Sequence, residues 1–278
     1  MTKLEDFIDT WRERSTEKVL LRSQDPSAPG QWFETAVPKY LFRGEKALYA
    51  ATPTSRGRFL PQYGGHTALA CVVQHVDALQ EALVGLAGLD HLHAEALLQH
   101  YDLTTNHFDL TTSPNVAAAF ALYKRTGSDG EHARIFVFET EKLCACSRVL
   151  DLMGIEFARR PRHQLGYSVS FRRAGVDLQS AARGAQAMVE EFIFEPAKEA
   201  SEPHASLIES IYGPANRDPV ASFLNHLLTE ELHLGGQGTH KQCVEWIEAR
   251  IPWTALVTAR NGYVDWDESY RVLEADGI

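Results

Sequence analysis

The segment from Asp109 to Ala121, "DLTTSPNVAAAFA", constrains the fold more than any other. A short strand or turn over 104–111 runs without a linker into a helix. Ser113 suits the N-cap, where a hydroxyl accepts a backbone N–H. Pro114 suits the first helical position, where no N–H is required. The pattern predicts a helix over 113–127 that stops at Gly127. A strand end joined directly to a helix start gathers hydroxyls and free backbone N–H groups at one point. The cluster Asp109, Thr111, Thr112 and Ser113 therefore suits an anion or a ribose. The same residues also serve a plainer purpose, with Thr112 or Ser113 capping the helix and Asp109 making a turn.

The other elements follow from periodicity and punctuation. Leu4, Phe7, Ile8 and Trp11 recur at helical spacing, so the chain opens on an amphipathic helix. "PKYLFRGE", residues 38–45, reads as a strand that carries Arg43 at its tip, with Gly44 next. Residues 23–31 read as a loop and 52–65 as irregular chain, while 66–101 carry apolar residues at helical spacing. Strands are expected over 133–140, 164–171 and 190–196, the last closed by Pro196. Two further helices are expected over 218–236 and 240–251. Helices and strands interleave without the even spacing of a doubly wound sheet. The expected class is α+β, with helices inserted early and a helical C-terminal region. The expected units are 1–196 and 197–278, packed as one domain.

Composition removes several classes. A net charge of −10 argues against wrapping a nucleic acid by charge alone. No apolar run approaches the ~20 residues of a membrane span, and the first residues lack a signal-peptide core, so a cytoplasmic protein with no membrane partner is expected. Four cysteines are too few for a disulfide scaffold, and Cys144-Ala-Cys146 reads as two small residues in or beside a strand. His91 and His93 stand two apart and face different sides of a helix, so no metal site is expected. Nucleotide-loop, Rossmann, zinc-protease and serine-hydrolase motifs are absent from the sequence. The run Arg159-Arg160-Pro161-Arg162-His163, with Arg172-Arg173 after it, suggests an anionic small ligand or a negatively charged partner, or else a solvated loop.

"FRGE" followed by "QHYDLTTNHFDLTTSPNVAAAFA" resembles the FRG domain, a bacterial and phage-associated family named after its Phe-Arg-Gly motif. The family's second motif reads approximately QHYGLPTRLLDWTxSPLVALYFA. Gln99, His100, Tyr101, Leu103, Thr105, Asp109, Thr111, Ser113, Pro114, Ala117, Phe120 and Ala121 match it in order. "TPTSRGRF" is similar to the family's Pro-Ser-x-x-Arg stretch, and "HQLGYSV" to its Gln-x-Gly-Phe strand. The resemblance covers roughly 4–196. Asp102, Thr104, Asn106, His107, Phe108 and Leu110 depart from the motif. Asn106 replaces an arginine, whose contact is either lost or supplied by "RPRH", residues 160–163.

The motif order is also similar to that of ADP-ribosyltransferases of the Arg-Ser-Glu type. That resemblance implies a split β-sheet core with a helical insertion, and NAD as substrate. It implies an enzyme that cleaves the nicotinamide–ribose bond and passes ADP-ribose to a macromolecular acceptor, in a toxin or phage-defence setting. Arg43 would hold a phosphate or ribose oxygen, beside Gly44, whose bare backbone would admit the dinucleotide. Thr111, Thr112 and Ser113 would line the nicotinamide ribose, and Tyr101 would stack on nicotinamide. Glu191 takes the place of the catalytic glutamate, with Gln164 or Asp109 as alternatives. An antitoxin or regulatory protein is the implied partner. A non-catalytic nucleotide sensor and an NAD glycohydrolase are the other readings. Without the resemblance, Arg43 reads as the partner of an acidic neighbour such as Glu45 or Asp109.

Overall fold

Helix α1 (Leu4–Arg14) forms where its apolar spacing requires it, with Leu4, Phe7, Ile8 and Trp11 buried on one face. Glu5 and Asp6 lie in its first turn and Arg12 and Arg14 in its last, which complements the helix dipole. The computed structural model describes residues 3–24, 32–56 and 76–196, apart from 78, 82, 86–87, 102, 104, 124, 126–128, 156–157 and 172–175; beyond these it describes Leu207, Ser210, Ile211 and Val220.

After α1 the chain makes an antiparallel ribbon of β1 (Lys18–Gln24) and β2 (Trp32–Pro38), with Lys18 opposite Pro38. Then follow β3 (Tyr40–Glu45), α2 (His91–His100), β4 (His107–Thr111), α3 (Pro114–Leu122) and β5 (Ala133–Glu139). The described core closes with α4 (Thr140–Cys146), β6 (Arg148–Asp151), α5 (Arg159–His163), β7 (Gly166–Ser170), α6 (Leu178–Gly184) and β8 (Met188–Phe194). Strands β3 to β8 form one six-stranded sheet in the order β6-β7-β4-β3-β5-β8, with every neighbouring pair antiparallel. The class is α+β.

The two faces of the sheet carry different cores. On one face Tyr40 and Phe42 of β3 pack with α1, α3 and Phe192 and Phe194 of β8. Phe7 stacks on Phe192 with ring centroids 4.5 Å apart. On the other face Leu41 packs with Phe108, Leu110, Phe136 and Phe138, under Leu143 of α4 and Leu178 and Ala182 of α6. Burying each such large side chain contributes roughly 1.5–3 kcal/mol.

Several elements escape the sequence reading. The β1–β2 ribbon, β6, α4, α5 and α6 are short, and distant partners define them. Helix α5 is Arg-Arg-Pro-Arg-His, with no apolar period, and only Pro161 is buried. Cys144 and Cys146 sit in α4 just before β6, beside a strand as expected rather than in one. Helix α3 begins where expected, with the Ser113 hydroxyl accepting from the Val116 N–H, but it ends at Leu122, where Tyr123 turns extended. Of the loop expected over 23–31, Ser23 and Gln24 belong to β1; residues 25–31 and 57–75, Gly127, Arg172, Arg173, Cys243 and most of 197–278 lie outside the described residues. Leu207 and Ile211 pack on Val116 and Ala119 of α3, and Val220 packs with Leu97 and Tyr101.

Gly44 sets the closest approach in the fold. A Cβ built on it would lie 1.8 Å from the carbonyl oxygen of Ala117 and 2.8 Å from the nitrogen of Ala121. Helix α3 thus lies directly on the backbone of β3, and its alanines keep that contact short. The side of Gly44 expected to admit a dinucleotide is filled by α3, which corrects that expectation. Gly44→Ala should destabilise the chain by about 1–3 kcal/mol through overpacking against backbone. A denaturant titration that leaves the unfolding midpoint unchanged would refute this contact.

Candidate functional site

The site grows from the way β3 and β4 meet. Their recorded pairing is Phe42 opposite Thr111, whereas β3 pairs with β5 along its whole length. Beside Arg43, strand β4 therefore has a carbonyl that β3 does not take up. Arg43 Nη1 donates to that carbonyl, of Asp109, at 2.8 Å, while Nε donates to Glu45 Oε1 at 3.1 Å. Of the two acidic neighbours suggested by the sequence, Glu45 makes the ion pair, while Asp109 offers only its main-chain carbonyl. The Arg43 side chain remains 16% exposed.

Glu45 is the hub of a charge chain on this face. Its side chain is 3% exposed and accepts from Arg43, from Thr52 Oγ1 at 2.8 Å, and from Arg134 Nε and Nη2 at 3.0 and 2.8 Å. Arg134 Nη1 then donates to Glu191 Oε1 at 3.1 Å, and Arg183 Nη2 to Glu191 Oε2 at 2.7 Å. Arg43, Phe136 and Glu191 stand in one cross-strand row, so Arg43 and Glu191 share a face of the sheet. Both oxygens of Glu191 are nevertheless held by arginines.

Asp109 anchors a second cluster, between β4 and α2. Its carboxylate is 31% exposed, and Oδ1 lies 3.4 Å from Nε2 of His100, which is buried. Oδ2 accepts from Gln99 Nε2 at 3.5 Å. The orientation of Gln99 is defined, because its Oε1 already accepts from Ser55 Oγ and Thr105 Oγ1, both at 2.7 Å. Gln164 Oε1 is 2.8 Å from His100 Nδ1.

A reciprocal pair stands one turn along. His107 of β4 has Nδ1 2.9 Å from Ser168 Oγ and Nε2 3.5 Å from Glu95 of α2. Helix α2 thus gives a histidine to an aspartate of β4, and β4 gives a histidine to a glutamate of α2. Burial pushes the Glu95 carboxyl upward. The hydrogen bond and charge of His107, the Asn106 N–H and the Arg56 guanidinium outweigh burial and leave it below the usual range.

The structure reassigns several expected site residues. Tyr101 is buried among Leu97, Leu98 and Val220, with the Arg160 guanidinium 4.8 Å from its ring centroid, so it does not offer a face to nicotinamide. Thr111 is buried and donates to the Gln164 carbonyl at 2.7 Å, and Thr112 N–H donates to the Leu165 carbonyl. Ser113 is the cap of α3. Thr111 through its hydroxyl and Thr112 through its main chain dock the end of β4 on the turn at Gln164–Leu165, and Ser113 starts a helix. Gln164 is buried behind His100 rather than facing outward. Arg160 of the basic run turns inward and donates to the His100 carbonyl at 3.0 Å. Arg43 and Asp109 meet only through the Asp109 main chain: Phe108 and Leu110 pack on the Leu41 face, so the carboxylate of Asp109 between them leaves β4 on the face opposite Arg43. The sequence reading missed Glu45 as a hub, Arg134, Gln99 and Ser55. The signal for the last two was present, since both lie in the motifs matched above.

The family model for the FRG domain matches residues 38–130, and the chain carries an FRG domain over that span. The span runs from the start of β3 past α3 and contains Arg43, Gln99, His100 and Asp109; Gln164 and Glu191 lie beyond it. No curated protein and no solved structure matches the chain. Among the described residues no three His, Cys, Asp or Glu side chains gather as a metal site, and no helix is long and apolar enough to cross a membrane.

Two outcomes follow. Glu45→Ala leaves Arg134 buried without its main partner and should cost about 3–5 kcal/mol, read from urea unfolding. Because folding holds Glu95 below its ordinary 4.5, its contacts stabilise the protein above that pH. That contribution is lost as pH falls through the lower folded value. Glu95→Gln should therefore be less stable than wild type near pH 7, with the gap closing in acid; a gap independent of pH would contradict the pairing.

Proposed function

We propose that the chain acts on NAD as an ADP-ribosyltransferase-like enzyme, breaking the nicotinamide–ribose bond and passing ADP-ribose to a macromolecular acceptor. A toxin or phage-defence effector, with an antitoxin or regulatory protein as its partner, is the setting this chemistry suits. The observation that carries the reading is the pairing of Arg43 with Asp109: the guanidinium sits on the Asp109 carbonyl at 2.8 Å where β3 and β4 part. On the other face of β4 the Asp109 carboxylate is partly exposed and braced by His100 and Gln99.

In this reading Arg43 takes a phosphate or ribose oxygen of the dinucleotide by charge-assisted hydrogen bonds. Loss of nicotinamide builds positive charge on the ribose, as in glycoside cleavage, and a fixed carboxylate opposes that charge. Asp109 suits the role better than Glu191, whose two oxygens are already taken by Arg134 and Arg183. A second reading, a non-catalytic nucleotide-binding module, is favoured by the neutralisation of Arg43 by Glu45. Hydrolysis of NAD, with water as acceptor, is the third.

Nicotinamide release from NAD tests the set. Arg43→Ala and Asp109→Asn should each lower release on the order of a hundredfold, with Glu191→Gln far less affected. Loss in Glu191→Gln alone returns the carboxylate role to the glutamate. Saturable NAD binding without release supports the binding module, and no binding rejects every NAD reading. Label on a macromolecule rather than in free ADP-ribose separates transfer from hydrolysis.

A further inference from the structure

His100 is a buried group with an unusual setting. Its side chain is 1% exposed. Its ring lies over Gly166 of β7, where an added Cβ would come within 2.7 Å of His100 Cε1 and 2.9 Å of the Pro161 carbonyl oxygen. The neighbouring Leu165 adopts a left-handed φ of 46°, uncommon for a leucine. The turn thus brings Gln164 to one side of the ring and a bare glycine beneath it.

The two ring nitrogens face different partners. Gln164 Oε1 lies 2.8 Å from Nδ1, and an amide oxygen only accepts, so Nδ1 is assigned the hydrogen. Nε2 then faces Asp109 Oδ1 at 3.4 Å. Neither of these two atoms has a well-formed hydrogen bond among the described residues. One proton between them turns the contact into a charge-assisted hydrogen bond. Gln99, fixed by Ser55 and Thr105, approaches the other carboxylate oxygen.

We propose that His100 is the positioning residue for the Asp109 carboxylate: its imidazole, seated over Gly166 and oriented by Gln164, aims the exposed edge of that carboxylate at the substrate. Its catalytic consequence rests on the NAD reading above, while the positioning itself is a structural claim. The arrangement follows the general need of a reacting carboxylate for a fixed rotamer, since a displacement of 1 Å can cost roughly a hundredfold in rate. Through Nε2 the ring acts on Asp109 alone, and through Nδ1 it is held in place.

Two isosteric halves of the ring separate these roles. In His100→Gln the amide reaches the Nε2 position and keeps a donor on Asp109. In His100→Asn the amide takes the Nδ1 position, keeps Gln164 and leaves Asp109 with Gln99 alone of its two braces. Both full-length variants are compared with wild type by melting temperature, by crystal structure and by nicotinamide release from NAD. We expect Asp109 to keep one rotamer in wild type and His100→Gln and to leave it in His100→Asn, with the β4 backbone unmoved. The turnover number should fall roughly tenfold to a hundredfold in His100→Asn and only a few-fold in His100→Gln, with little change in KM. Gly166→Ala, which displaces the ring without removing a group, should behave as His100→Asn does. An unmoved Asp109 rotamer in His100→Asn overturns the proposal whatever the assay gives, as do equal losses in the two histidine variants. A chain that never releases nicotinamide but shows the rotamer change rejects the NAD reading and leaves the positioning role standing.

Discussion

Strand β3 serves two different faces only because helix α3 can lie on its backbone at Gly44. The carbonyl of Ala117 occupies the place of a side chain there. That contact fixes where α3 starts, and with it Ser113, Thr111 and the end of β4. The opposite face of β3 is left to Arg43 and Glu45. No larger residue at position 44 would permit the same register of helix and strand.

Charge on the far face is organised by burial rather than by surface attraction. Glu45, itself buried, carries two guanidiniums, and Arg134 hands the chain on to Glu191 and Arg183. A buried charge must be paired, and its partners are then fixed. Arg43 is therefore anchored through Nε while Nη1 spans the place where β3 and β4 separate. Across β4, α2 is braced by two reciprocal histidine–carboxylate pairs, His100 with Asp109 and His107 with Glu95. The brace explains how the motif accommodates a histidine at 107: the ring is paired and buried, not a vacancy in the pattern.

Local signals were readable wherever the physics was local. The spacing of Leu4, Phe7, Ile8 and Trp11 marked α1, and the Ser113-Pro114 pair marked the start of α3 to the residue. Glu45, two residues away on the same strand face, makes the ion pair with Arg43 that the sequence suggests, whereas Asp109, the alternative acidic partner, contributes only its main-chain carbonyl. Glu191, by contrast, takes the place of a catalytic glutamate in the motif order, yet both its oxygens are held by arginines. Its arginines, Arg134 and Arg183, come from a neighbouring strand and a separate helix, and no spacing along the chain announces them. Tyr101 and Gln164 failed for a related reason: residue type suggested a ligand contact, and packing turned both inward.

The amino-acid sequence by itself determined the α+β class, the strand-to-helix joint at Ser113 and the family motifs that contain Arg43 and Asp109, although both residues stand inside their strands rather than at the ends. These follow from periodicity, capping chemistry and short-range steric rules. Only the tertiary structure decided which polar groups are spent and which are left over. Glu191 is consumed by two arginines, Thr111 and Ser113 by the docking and capping of backbone, and Asp109 remains partly exposed beside a buried histidine. Pairing across a sheet depends on register between distant segments, and burial decides which of many possible partners a charged group must accept.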